Sequence, residues 1–371
     1  VTSENLDKVC SAFNVKPMLD IFMVIWTTTP WTIPSNVAVC INDSFNYVLA
    51  ESSQGNLIVA EDLIDDCSQR WGLDLNVIGS TQGKNLTDIS LHHPLYQRES
   101  RVLAGEHVTT ENGTGCVHTA PAHGLDDYFI CIKNKLESIK ALDNRGLFKE
   151  AFGPLKGLST KKGDPVVIEL LQDAGAVIST KEYEHSYPHC WRHKSPLIFM
   201  STPQWFISMK KSGLIDGAIN AVSQVSWEPE WGAQRILSML EDRPDWCISR
   251  QRNWGVPITL IIHHETGEVH PNQNLLFNKI ADVIEQEGLE GWDNLKLSSL
   301  IDDADSYVKV KDTLDVWFDS GVTHMCVLDK LYGADVPADL YLEGSDQHRG
   351  WFQSSLLTGI AINGMPPYRS V

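Results

Sequence analysis

The stretch Ile21–Trp26, IFMVIW, is an unbroken apolar run that ends directly on Thr27–Thr32, TTTPWT. Such a short continuous run reads as a strand buried on both faces, not one that alternates between core and water. Pro30 and Pro34 stop the ladder beyond it, because proline has no N–H to donate. The chain must therefore fold around a buried strand whose carboxyl end delivers three consecutive hydroxyl side chains. Further strand candidates are Tyr47–Ala50, Leu57–Ala60, Arg101–Leu103 and Cys116–His118. They are short and separated by Gly, Asn and Ser turns, the pattern of a barrel or sandwich. Leu125–Lys135 and Pro165–Ala174 read as helices packed beside it.

The texture changes near Glu184–Pro196, where EHSYPHCWRHKSP crowds aromatic and basic residues. A domain boundary is expected there, dividing the chain into 1–186 and 187–371; the length of 371 residues is enough for two or three domains. Beyond the boundary helix and strand alternate. Asp339–Glu343 is a short strand candidate, GSDQHRG turns, and Gly350–Ile362 is a helix. Strand, tight turn and helix form the unit of a doubly wound sheet, which binds ligands at the carboxyl ends of its strands. An insertion is expected near 262–312, with its own helix at Asn274–Glu287. The expected fold is a multidomain α/β chain: a β-barrel-like domain with flanking helices, then part of a doubly wound, Rossmann-type domain.

Two peptides in the first half combine residues that carry chemistry. Thr27, Thr28 and Thr29 each donate and accept hydrogen bonds. Such a row can order a water, a ribose hydroxyl and an ester carbonyl, or it can simply reflect the preference of β-branched residues for strands. The second peptide is GTGCVHTAPAHGLDDY, Gly113–Tyr128. Its glycines permit close backbone approach. Asp126 and Asp127 open a helix, where one aspartate serves as a cap or dipole partner. A second carboxylate beside a cleft is suited to an ammonium group. His118 falls on a short strand, where a core histidine and a functional one look alike, and His123 and Gly124 are expected to shape the turn.

Charge limits the partners. With 30 Lys+Arg against 48 Asp+Glu the formal net charge is −18, so the chain does not grip nucleic acid by bulk charge. Local basic groups stand at Lys161-Lys162, Arg192-His193-Lys194 and Lys210-Lys211, each also readable as a solvated face. The eight cysteines are scattered, with no C-x-x-C, as in a reduced cytosolic protein. A cytoplasmic location without membrane attachment is expected.

WTTTPWTIPSN, Trp26–Asn36, and GTGCVHTAPAHGLDDY resemble the two signature peptides of the editing domain of isoleucyl-tRNA synthetases, which are class I enzymes. The leucine and valine relatives carry arginine in the threonine peptide where this chain has Thr29. The resemblance implies that Thr27, Thr28, Thr29 and Thr32 line a hydrolytic pocket, that Trp31 and His118 shape its side-chain end, and that Asp127 binds the α-ammonium of the amino acid. The implied substrate is valine esterified to the terminal adenosine of tRNA(Ile), cleaved without cofactor, metal or covalent nucleophile. The reason for such a site is energetic. One methylene is worth only about 1–3 kcal/mol in a binding pocket, a limit documented on isoleucyl-tRNA synthetases themselves.

Later peptides resemble the synthetic core of the same family: TPQWF, ISRQRNWGVP, DTLDVWFDSG and YLEGSDQHRGWF. By that resemblance Glu343, Gly344, Asp346, Gln347 and His348 surround an isoleucyl-adenylate, with Trp317 and Trp351 near the amino-acid pocket. The parent ligase would use ATP with magnesium, isoleucine and tRNA(Ile), and no protein partner is implied. The chain contains neither the His-x-Gly-His nor the Lys-Met-Ser-Lys-Ser peptide with which the family holds ATP. It is therefore expected to be an internal piece that edits and does not synthesise. Cys190 and His193 stand where some relatives carry a Cys-x-x-Cys pair; two ligands fall short of the four of a structural zinc site, and no metal is expected. The competing reading is a tRNA-binding or interaction module that keeps the fold without the chemistry.

Overall fold

The computed structural model describes residues 1–371. They divide into two compact units, Val1–Thr202 and Pro203–Val371. The stretch 187–202 belongs with the first unit. Ser201 N–H donates to the Ala122 carbonyl, and Met200 packs on a first-unit core. The structural division thus falls at 202/203, against the change of texture at 186/187.

The first unit contains the helices α1 (Leu6–Ala12), α2 (Ile64–Trp71), α3 (Leu125–Lys133) and α4 (Thr160–Asp173). Its strands are β1 (Ile21–Met23), β2 (Ala38–Ile41), β3 (Asn46–Ser52), β4 (Gly55–Ala60), β5 (Asn76–Gln82), β6 (Ser90–His92), β7 (Glu99–Ala104) and β8 (Val117–Thr119). They form two four-stranded sheets, ordered β1-β4-β3-β5 and β6-β7-β2-β8. Each contains one parallel pair, β1 with β4 and β2 with β7; the other pairs are antiparallel. Neither sheet closes on itself, which corrects the expected barrel-like form. The short, turn-separated strands pack as open layers instead, with Tyr47, Leu49 and Ile58 of one sheet and Val39, Ile41 and Val102 of the other in a shared core. The buried Tyr47 hydroxyl donates to the Gly115 carbonyl (2.7 Å) and accepts from Asn42 N–H (3.0 Å). This fastens the loop before β8 to the core.

The apolar run at residue 21 pairs as a strand only to Met23, and Val24 N–H still reaches the Ile58 carbonyl. Past it, Pro30–Ser35 winds into a 3₁₀ turn, with proline at its first position where a missing N–H costs nothing. That turn packs its Trp31 and Ile33 on a second core containing Phe148, Phe152, Leu155 and Val167 of α4. Asp164 accepts from Trp31 N–H at 2.9 Å. The threonine segment is therefore held from both sides, by the sheet before it and by α4 after it.

The second unit contains β9 (Phe206–Ile207), α5 (Leu214–Val222), α6 (Trp231–Glu241), β10 (Trp246–Cys247), β11 (Ser249–Arg250), β12 (Ile261–His263), α7 (Gln273–Glu287), α8 (Leu289–Asn294), β13 (Tyr307–Lys309), β14 (Thr313–Leu314), α9 (Val316–Gly321), β15 (Ala338–Leu340), α10 (Trp351–Asn363) and β16 (Tyr368–Ser370). β15 and β16 pair in parallel, with α10 between them in sequence, and Ser226 bridges to Ser370 in parallel on the far edge. This is one strand–helix–strand unit; every other named pairing here is a two-stranded antiparallel ladder. A full doubly wound sheet is not formed. Phe352, Leu356 and Leu357 of α10 pack with Ala218, Val222, Ile236 and Leu240. The segment expected as an insertion has a core of its own, in which Ile261, Leu276, Ile280, Trp292 and Ile301 pack together. No helix is long and apolar enough to cross a membrane.

Candidate active site

A cavity of about 170 Å³ opens where the threonine segment meets β8 and the start of α3. Its wall is made by Thr27, Thr29, Thr32, His118, Gly124 and Asp127, together with Trp26, Ala120 and His123. Side chains two apart on an extended chain share a face. Thr27 and Thr29 accordingly turn together into the cavity, with hydroxyls 3.4 Å apart, and Thr29 N–H donates to Thr27 Oγ1 at 3.0 Å. Thr28, between them, is exposed and does not line the cavity, so the expectation for that residue is corrected. Trp31 is also displaced from its expected place. It is only 6% exposed, lies in the core behind the wall, and meets His123 edge to face at 4.7 Å.

The hydrogen bonds around His118 assign its protons. Asn36 Nδ2 donates to the Ala38 carbonyl at 2.8 Å, and Ser100 Oγ donates to Asn36 Oδ1 at 2.6 Å, which settles the orientation of the amide. The same Nδ2 is 2.8 Å from His118 Nδ1, which must accept. His118 Nε2 then carries the proton and donates to Thr32 Oγ1 at 3.0 Å, while Thr32 Oγ1 donates to the Thr29 carbonyl at 2.9 Å. Ser100, Asn36, His118, Thr32 and the Thr29 carbonyl form one directed chain. Burial pushes the imidazole down to about 3, with the nearby His93 and His123 adding to the effect. Neutral, with both nitrogens engaged, His118 is a fixed wall and donor and has no free lone pair with which to act as a base.

Asp127 is the only carboxylate on the cavity wall. It stands in the first turn of α3, whose N-cap is Gly124, and it does not cap that helix as the first residue would. Its Oδ2 accepts instead from Ala120 N–H at 2.8 Å, closing the turn between β8 and α3. Gly124 makes room for it: a Cβ there would stand 2.7 Å from the Asp127 carboxyl carbon. Burial raises the Asp127 carboxyl above its ordinary value, against which the Ala120 hydrogen bond pulls it down. Nearby His107 also draws it down, yet Asp127 forms no ion pair, and a partly desolvated carboxylate of this kind is better stabilised by an arriving ammonium than by water. His123 is anchored by Ser35 Oγ (3.1 Å) and the Phe199 carbonyl (3.0 Å), and burial holds it below its ordinary value. The cavity thus presents hydroxyls, neutral imidazoles and one acid.

The residues expected around an adenylate are divided in the second unit. Glu343 and His348 line a cavity of about 100 Å³ together with Trp227, Trp231, Tyr341 and Phe352. His348 lies between the rings of Trp227 and Trp231, both at 5.8 Å, and its buried Nε2 has no hydrogen-bond partner. Asp346 and Gln347 bond to each other at 3.0 Å, and Gln347 Oε1 accepts from Trp351 N–H at 2.9 Å, so they organise the turn into α10. Gly344 passes close to Asp346, and Trp317 lies against Gly350. Trp351 stacks on Tyr341 at 4.0 Å. None of Gly344, Asp346, Gln347, Trp317 and Trp351 lines that cavity.

Residues 21–371 match the family of tRNA synthetases class I (I, L, M and V). The chain belongs to that family. Isoleucine–tRNA ligases are its close homologues. The enzyme of Idiomarina loihiensis is 48% identical over 100% of this chain and 40% of its own length, and that of Marinomonas sp. is 52% identical over 94% and 38%. The Coxiella burnetii enzyme is 52% identical over 95% and 38%. The chain thus spans about 40% of the length of the relatives it matches. Among solved structures, the editing domain of the P. knowlesi cytosolic leucyl-tRNA synthetase is 12% identical, with a TM-score of 0.38 over 47% of this chain and 90% of that one. The sequence did not mark Trp26 as a wall residue, nor Asn36 and Ser100 as the residues that orient His118. The alternation of side chains along TTT was a usable signal for Thr28; nothing local marked Ser100, which reaches the site from β7.

Proposed function

We propose that the first unit is an editing site, which hydrolyses the ester between a small amino acid and the 3′ end of tRNA(Ile), with valine as the misplaced amino acid. The observation that carries this reading is the combination of one desolvated carboxylate, Asp127, with three hydroxyl side chains on the wall of a small cavity. A free α-ammonium distinguishes an aminoacyl ester from bare tRNA, and Asp127 is suited to pair with it through a charge-assisted hydrogen bond. A volume of about 170 Å³ is of the order of the cavity that holds one benzene ring, enough for a small aminoacyl group. Thr27 and Thr29 are placed to hold a water or the ester carbonyl. The neutral His118, donating to Thr32, keeps that side of the wall rigid. Since the ester is already labile, positioning a water and stabilising the developing oxyanion suffice without a covalent intermediate.

For the parent protein we propose the isoleucine–tRNA ligase activity of its relatives, with ATP, isoleucine and tRNA(Ile) as substrates. The residues of this chain do not complete an ATP site. Both phosphate-binding peptides are absent, and the cavity beside Glu343 is small, so no synthetic step is assigned here. The test is deacylation of Val-tRNA(Ile) and Ile-tRNA(Ile) side by side. Hydrolysis of the valyl ester only is expected; equal rates on both, or none on either, would refute the proposal.

A further inference from the structure

Helix α3 lacks the polar outer face of a surface helix. Its inner face is occupied: Asp127 lines the cavity, and Ile130 and Cys131 pack with Val37, Cys40, Leu103 and Val108. On the other side Leu125, Phe129 and Ile132 are 71%, 60% and 54% exposed, with Tyr128 beside them at 37%. Spacings of three, four and seven residues set these four side chains in one stripe along the helix. A helix that packs one face on a core ordinarily turns charged and polar residues outward. Contiguous exposed apolar side chains instead mark an interaction surface. Charge flanks the stripe. Asp126 stands in the first turn and Lys133 in the last, both exposed and seven residues apart, on one line beside the stripe. Neither is ion-paired within the chain.

We propose that the outer face of α3 is a self-association surface, on which a second copy of this chain lays its own α3 in the antiparallel sense. A two-fold axis between Tyr128 and Phe129 sets Leu125 of each copy against Ile132 of the other, and Asp126 of each against Lys133 of the other. Symmetry makes two ion pairs of this one arrangement, at opposite ends of the stripe, and the two helix dipoles run in opposition. A parallel arrangement would instead set Asp126 against Asp126 and Lys133 against Lys133. The order of charges along the helix thus selects its own reversed copy as the occupant. Copies of net charge −18 repel at long range, so only a patch that complements itself can join them. A standard interface engages about 20–30 residues a side, so one helix face gives a weak dimer that forms only at high protein concentration. Asp127 points the other way and is not consumed by the contact.

The experiment is sedimentation velocity of the full chain over a roughly hundredfold range of concentration. The wild-type chain is expected to pass from monomer to dimer as concentration rises. Phe129→Asp should remain monomeric throughout. If that variant melts early, Ile132→Gln should move the transition to higher concentration instead. Asp126→Lys and Lys133→Asp should each weaken the dimer alone, because each sets like charges together at both ends. Mixed in equal amounts they should restore it, since one copy then offers lysine at both positions and the other aspartate at both. Damage to α3 itself would not be repaired by mixing. A stripe suited to some other partner would leave the wild-type chain monomeric, or let it associate without regard to the two charges. Either result overturns the proposal, as does a folded Phe129→Asp variant that dimerises like the wild type or a mixture that associates no better than its components.

Discussion

Replacing Asp127 with asparagine removes the charge and leaves the shape. In the folded chain Asp127 makes one structural hydrogen bond, from Ala120 N–H to Oδ2, and an asparagine carbonyl can accept it equally well. Stability at neutral pH should therefore hold or rise slightly. Burial raises the aspartate above its ordinary value, and a carboxyl raised in the folded state is a source of stability that is lost as pH climbs through that value. The asparagine carries no such loss. What the variant forfeits is the charge that faces an α-ammonium. A hydrogen bond between charged groups is worth about 1.5–3 kcal/mol. At about 1.36 kcal/mol per tenfold, that slows hydrolysis by roughly ten- to over a hundredfold. The assay is single-turnover deacylation of Val-tRNA(Ile), with a thermal melt as the folding control. A folded variant that hydrolyses at near the wild-type rate would show that Asp127 only closes the β8–α3 turn, and the assignment of the ammonium site would fall.

The other outcomes follow from the same wall. His118→Ala should enlarge the cavity, so that Ile-tRNA(Ile) becomes a substrate while Val-tRNA(Ile) is still cleaved; continued protection of the isoleucyl ester would remove His118 from the size filter. With the His118 imidazole pushed down to about 3, the pH profile of hydrolysis should show no step from it between pH 5 and 8. The rate should instead fall on acidification through a value above the ordinary aspartate range, as Asp127 takes up a proton. Gly124→Ala sets a methyl group 2.7 Å from the Asp127 carboxyl carbon and should cost about 1–3 kcal/mol in a melting or denaturant curve while depressing hydrolysis at least as far as Asp127→Asn. Isoleucine-dependent exchange of pyrophosphate into ATP should stay at background in this chain, and exchange above background would contradict the reading of its second unit.

Much of this molecule is local and was legible as such. The apolar run at residue 21, the strands near Tyr47, Leu57 and Arg101, and the helices after Gly124 and Gly350 are set by burial pattern, proline placement and glycine breaks that act within a few residues. The two peptides that meet at the cavity, and the family to which they point, were equally readable. What sequence could not decide was which members of those peptides face inward. Thr28 turns out to solvent, Trp31 is drawn into the core by Phe148 and Phe152 of a segment more than a hundred residues on, and Trp26 takes the place at the wall. His118 looked the same as any strand histidine until Asn36 and Ser100 fixed its proton from β2's approach and from β7. The closure of the first-unit sheets was likewise undetermined, because alternation along a strand fixes its faces and leaves open whether the outer strands meet; here they do not. Periodicity and propensity act between neighbours in the chain, whereas cavity walls, tautomers and sheet edges are made by residues that only packing brings together.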